Sequence, residues 1–151
     1  AMEPLSEYLL IKHQCGLDNL EKVKSEYESR NIEAEVLEFF NNPEEQIKWS
    51  DFVVSRAGAL SLSEITSMKK GALMIPLPNS IDNHQYENAK KIEDTGMGIL
   101  HEEDEDISYL TDKINEIIKD KKYINWKKNE LTNHLNAANE IVKHIEEYLN
   151  K

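Results

Sequence analysis

Phe52-Val53-Val54-Ser55-Arg56-Ala57-Gly58-Ala59-Leu60-Ser61-Leu62-Ser63-Glu64 is the stretch that decides the fold. Phe52 to Ser55 reads as a short apolar strand. Arg56 to Ala59 is a turn of mostly small residues. Leu60 to about Lys70 then has helical spacing, with Gly71 as its expected C-cap. A strand, a small-residue turn and a helix N-terminus together make a site for a phosphate-bearing ligand. Gly58 allows close backbone approach and tolerates unusual dihedrals. The N–H groups of Ala59, Leu60 and Ser61 would point at a diphosphate, helped by the helix dipole. The plainer reading is a strand-to-helix turn capped by Ser61 or Ser63. Glu64 lies one to two turns inside the helix, where its carboxylate can accept from two ribose hydroxyls. Its plainer reading is an exposed glutamate favoured by the dipole.

A second run, Asp82-Asn83-His84-Gln85-Tyr86-Glu87-Asn88-Ala89, opens another helix that extends to Asp94 and ends at Gly96. His84 and Gln85 carry donors and acceptors suited to sugar hydroxyls. No readable spacing places a carboxylate to orient His84 as a base. Asn88, one turn on, is expected to cap or brace the loop. The plainer reading of this cluster is helix capping by Asp82 or Asn83.

Outward from these runs, strands and helices alternate. Leu9–Gln14 reads as a strand, ended by Cys15-Gly16. A helix capped by Asp18 or Asn19 runs to about Arg30. Ile32–Phe40 is the next strand, and Pro43 starts a helix that reaches Trp49. Ala72–Pro76 is apolar throughout, as a strand buried on both faces should be. Gly98–Leu100 is a short strand, and Ile107–Lys119 an amphipathic helix after an acidic loop. Glu3–Tyr8 reads as the tail of a helix, with Ala1 as a tag remnant. Trp126–Lys151 holds one or two terminal helices. This alternation predicts a single α/β domain over residues 1–151, a Rossmann-like parallel sheet with helices on both faces. Ligands of such sheets bind at the carboxyl ends of the strands, where both runs lie.

Composition narrows the function. Lys and Arg number 18 against 29 Asp and Glu, a formal net charge of −11. Such a surface repels nucleic acid and anionic lipid. Cys15 is the only cysteine, so no internal disulfide forms, and it reads as a small apolar residue. No stretch of about eighteen apolar residues occurs, so no membrane-spanning helix is expected. The histidines show no metal-ligand spacing, and there is no P-loop. Neither a metal nor a cofactor is expected. Trp49, Trp126 and the tyrosines read as core or helix-packing residues.

The Ser-Arg-Ala-Gly-Ala-Leu run at 55–60, the Asn-His-Gln-Tyr run at 83–86, His13-Gln14-Cys15-Gly16 and Glu38-Phe39-Phe40 together resemble the MurG family. The likeness covers Leu10 to Lys151, as the C-terminal, donor-binding half of a two-domain GT-B glycosyltransferase. It implies a domain that binds UDP-N-acetylglucosamine for inverting transfer to lipid I. Phe40 would lie against uracil, its backbone reading the base edge. Gly58, Ala59, Leu60 and Ser61 would hold the diphosphate, Glu64 the ribose, and His84 and Gln85 the sugar hydroxyls. Many relatives carry Gln where His84 stands. No catalytic residue is assigned in this half.

The resemblance also implies what is missing. The family's Gly-Gly-Ser-x-Gly-Ala loop and the strand before it are not found, and that strand is central in the sheet. The expected sheet therefore has a gap or re-pairs, and its open edges invite association between copies. The acceptor domain with the lipid I site is not in the sequence either, so the chain is not expected to catalyse transfer alone. The resemblance implies a cytoplasmic protein, with the full-length family peripheral on the inner face of the membrane. Two other readings stand beside it: a donor subunit of a split transferase, and a degenerate module that binds or interacts without catalysis.

Overall fold

The computed structural model describes residues 8–78, 80 and 83–128. In chain order these form β1 (Ile11–Gln14), α1 (Leu20–Ser29), β2 (Ala34–Leu37), α2 (Pro43–Trp49), β3 (Phe52–Ser55) and α3 (Ala59–Ser67). They continue as β4 (Gly71–Met74), α4 (His84–Asp94), β5 (Gly98–Leu100), α5 (Ile107–Lys119) and α6 (Lys122–Lys128). Of the helix tail expected over Glu3–Tyr8 only Tyr8 is among the described residues, and of the terminal helices expected over Trp126–Lys151 only Trp126–Lys128, which end α6, a helix that already starts at Lys122.

Every strand pairing is parallel, and the order is β1-β2 in one sheet and β3-β4-β5 in another. The gap expected between β1 and β3 is present: no pairing joins them among the described residues. Phe52 pairs with Gly71 and Ser55 with Met74, which fixes the register beside the first run.

All four residues of β4 are buried, and successive side chains alternate between two cores. Ala72 and Met74 meet Leu62 and Ile65 of α3 and Ala89 of α4, with Val53 and Ile47 at the margin. Leu73 meets Ile114 and Ile117 of α5 and Trp126 of α6, with Phe52 and Leu9 beside them. Helices thus cover both faces of the β3-β4-β5 sheet, as the α/β reading requires. Each buried leucine or isoleucine contributes about 1.5–3 kcal/mol relative to exposure. The Asp106 carboxylate accepts from the Ser108 N–H at 2.8 Å and caps α5.

Three local expectations are corrected. Gly71 is not a helix cap: α3 stops at Ser67, Lys69 takes the left-handed turn position with φ 56°, and Gly71 opens β4. A β-carbon on Gly71 would sit 2.1 Å from Trp126 Cδ2, so its place is set by packing. Trp126 is core at 4% exposure, but Trp49 is 48% exposed, with the Lys12 ammonium 4.7 Å from its ring centroid. Tyr8 and Tyr109 are also exposed. The strand expected over Ile32–Phe40 is confined to Ala34–Leu37, which frees Phe40 for a loop.

Candidate nucleotide-sugar site

The turn after β3 is held from two sides. The Arg56 guanidinium donates to the carbonyl oxygens of Ile75 and Pro76, at 3.2 and 3.3 Å, and pairs with Glu103. The Asn88 amide, reaching from α4, donates to the Ala57 carbonyl at 3.2 Å. The brace expected of Asn88 is therefore present. Ala57 is fully buried, so this contact satisfies an otherwise costly acceptor.

Gly58 occupies the N-cap position of α3 with φ −67° and ψ 136°. Any residue adopts those angles, so the expectation of an unusual backbone is not met. A β-carbon there would meet only Ser61 Oγ at 3.9 Å. What the glycine leaves is open space at the helix start. No side chain caps α3, which removes the plainer reading of Ser61 or Ser63 as the cap. The first intrahelical bond runs from the Leu62 N–H to the Gly58 carbonyl at 3.0 Å. The N–H groups of Ala59, Leu60 and Ser61 precede it and have no partner within the helix. These three residues are exposed, as is Glu64 on the same helix.

At the start of α4, Asn83 takes the N-cap position in the left-handed conformation, without a side-chain cap. Asp82 lies outside the described residues. Gln85 is half-buried, and its Oε1 accepts the Leu77 N–H at 3.0 Å, while its own N–H donates to Ser80 Oγ at 3.3 Å. It holds the loop after β4 through that oxygen, and its side-chain NH2 carries two further donors. His84 is exposed on the first turn. Phe40 follows β2, and its N–H donates to Gln14 Oε1 at 3.0 Å. Each predicted residue therefore follows the carboxyl end of its strand: Phe40 after β2, Gly58–Ser61 after β3, Gln85 after β4.

One constellation escaped the sequence. His101, at 3% exposure, lies 3.5 Å from Glu105 Oε2 and 3.4 Å from Lys113 Nζ. Lys113 pairs with Glu105 at 2.6 Å, and this bond, then a backbone N–H from Glu102, lowers the Glu105 pKa. The group flanks a cleft of about 400 Å³ that also takes in Val54, Ser55 and Arg56. Ser55 Oγ is buried there without a hydrogen-bond partner. The only sequence signal was the acidic loop after β5, which reads as solvated surface. No group of metal-ligating side chains occurs among the described residues.

Residues 3–146 match the family described as Glycosyltransferase family 28 C-terminal domain. A relative from Rickettsia bellii (strain RML369-C) is 44% identical over 118 residues, covering 77% of this chain and 33% of the relative. It is named UDP-N-acetylglucosamine--N-acetylmuramyl-(pentapeptide) pyrophosphoryl-undecaprenol N-acetylglucosamine transferase. A relative with the same name from Wolbachia pipientis subsp. Culex pipiens (strain wPip) is 43% identical over 99 residues, 66% of this chain and 29% of its own length. The crystal structure of Acinetobacter baumannii MurG superposes with a TM-score of 0.74 at 25% identity, over 83% of this chain and 38% of that one. The chain thus spans about a third of the length of the curated relatives it matches. With a parallel α/β fold, helices on both faces and a family match over nearly its whole length, this chain belongs to the glycosyltransferase family 28 C-terminal domain family.

Proposed function

We propose that this domain binds UDP-N-acetylglucosamine and serves as the donor half of an inverting N-acetylglucosaminyltransferase that completes lipid II. The observation that carries this reading is the start of α3. Three N–H groups without helical partners sit beside the open space at Gly58, and Glu64 is exposed about one and a half turns along. A diphosphate fits the N–H groups, and a ribose fits the carboxylate. As the sugar leaves, negative charge grows on the departing UDP. Fixed backbone donors stabilise that charge without reorganising. His84 and the NH2 group of Gln85 hold the sugar hydroxyls, and the Phe40 backbone and ring meet the uracil.

The acceptor site and the base that deprotonates the acceptor hydroxyl belong to a further domain, as does contact with the cytoplasmic face of the membrane. Among the described residues β1 and β3 each have a hydrogen-bonded neighbour on one side only, which supports association between copies through those edges.

Calorimetric titration with UDP-N-acetylglucosamine, UDP and GDP tests the reading. Binding of both uridine ligands in preference to GDP, even at millimolar strength, is expected. Equal affinity for GDP, or no binding of any of the three, overturns it.

A further inference from the structure

The His-Gln pair at the end of β1 has no role in the reading above, and Gln14 touches the residue that would meet the base. We propose that Gln14 is a displaceable cap, whose side-chain amide occupies the Phe40 N–H in the empty site and gives it up to uracil. The proposal rests on the donor-site reading.

A backbone N–H can only donate, so the group facing it is the Gln14 amide oxygen, at 3.0 Å. A primary amide presents a carbonyl acceptor beside an N–H donor. The edge of uracil formed by its 4-oxygen and 3-nitrogen presents the same pair. Gln14 thus fills the place of a pyrimidine edge with matching chemistry. Cytosine reverses that edge, carrying an amino donor in place of the oxygen. A bound uracil and the Gln14 amide therefore compete for one donor, and cytosine does not enter the competition.

The cap can leave without undoing the loops. The Cys15 N–H donates to the Leu37 carbonyl at 2.9 Å, and the Gly16 N–H to the Glu38 carbonyl at 3.0 Å. The Asp18 N–H donates to Glu38 Oε1 at 3.3 Å. These bonds keep the segments after β1 and β2 together. The Gln14 side chain is exposed, so on release it regains rotamers and water.

The test compares UDP and CDP on the intact chain and on Gln14→Ala, with amide exchange at Phe40 followed by NMR. Removing the cap raises the binding-competent fraction, so UDP should tighten by roughly two- to tenfold, the range of one net hydrogen bond. CDP should be unchanged, and the Phe40 amide should exchange faster in the empty variant. Unchanged or weaker UDP binding overturns the proposal. So does equal tightening of UDP and CDP, the mark of a loosened loop. An unaltered Phe40 exchange rate overturns it as well, because the cap would then protect nothing. If neither nucleotide binds either chain, the donor-site reading falls and takes the proposal with it. UDP binding without a gain in Gln14→Ala overturns the cap alone.

Discussion

Asn88, on the second turn of α4, fixes the backbone of Ala57, the residue before the glycine at the start of α3, through a 3.2 Å bond to its carbonyl. Two helices that share one core face are thereby tied at the point where a ligand would arrive. Asn88→Ala leaves a buried carbonyl without a partner, which costs about 1–3 kcal/mol. Chemical denaturation should show that loss, and UDP affinity should fall with it. An unchanged unfolding midpoint would mean that water replaces the amide.

Gly58→Ala separates ligand space from backbone need. The native angles suit alanine, and beyond the two chain neighbours the nearest described atom to the added carbon is Ser61 Oγ at 3.9 Å. The melting temperature should hold or rise slightly, by up to about 1 kcal/mol in stability, because the unfolded chain loses freedom. UDP binding should weaken about tenfold or more, or ~1.4 kcal/mol, because the methyl group enters the phosphate space. Undiminished binding in a stable variant would place the phosphates elsewhere.

Glu64→Ala should weaken UDP by about 1–3 kcal/mol through loss of a charged acceptor. The same substitution should cost 2′-deoxy-UDP less, since one hydroxyl is already gone. Equal losses for the two ligands would remove Glu64 from the ribose.

Gly71 and Trp126 form a packing pair that a double-mutant cycle can expose. Gly71→Ala forces a β-carbon to within 2.1 Å of the indole and should cost about 1–3 kcal/mol or more. Trp126→Ala alone should cost about 3–5 kcal/mol. In the Trp126→Ala background the Gly71 substitution should be nearly neutral. Additive losses would contradict the packing account.

Acid should weaken the fold in a defined order. Burial lowers the His13 pKa, so its neutral form is favoured in the native state. That contribution is present above the ordinary value of 6.5 and fades as pH falls through the lowered value. The Lys113 bond lowers the Glu105 pKa, and Ser108 lowers that of Asp106. Their contributions are full above the ordinary carboxylate range and vanish as pH drops through the lowered values. Thermal melts at decreasing pH should fall mildly below 6.5 and more steeply in the carboxylate range. A flat profile would show these contacts to be energetically silent.

The strand and helix order was legible because the apolar runs at 52–54 and 72–75 are dense and the turns between elements are short. The sheet break was legible too, but only through the resemblance, since no local pattern shows a missing neighbour. Gly71 misled because glycine after a helical run usually caps it. Its cause lies in Trp126, far along the chain, which no local pattern reveals. The sequence placed Gln85 after its strand but kept Phe40 inside one that the fold ends at Leu37, and it was silent on what their polar groups touch. His101 and Ser55 escaped because their burial depends on α5 and β3 coming together. Polar residues become informative only once the packing around them is known.

The break between β1 and β3 has a consequence for how the molecule opens. Neither core cluster draws a buried residue from β1, α1 or β2, and α1 only half-buries its Leu20, Val23 and Tyr27. Ile32 and Val36 are the buried apolar residues of that region. Cooperativity travels through shared cores, so the β1-β2 region should open as its own unit, at a free energy below that of global unfolding. Amide hydrogens of β4 would then outlast those of β1 by a wide margin. The segment that holds Gln14 and Phe40 would sit in the softer half of the domain, and the base could enter where the protein yields most readily.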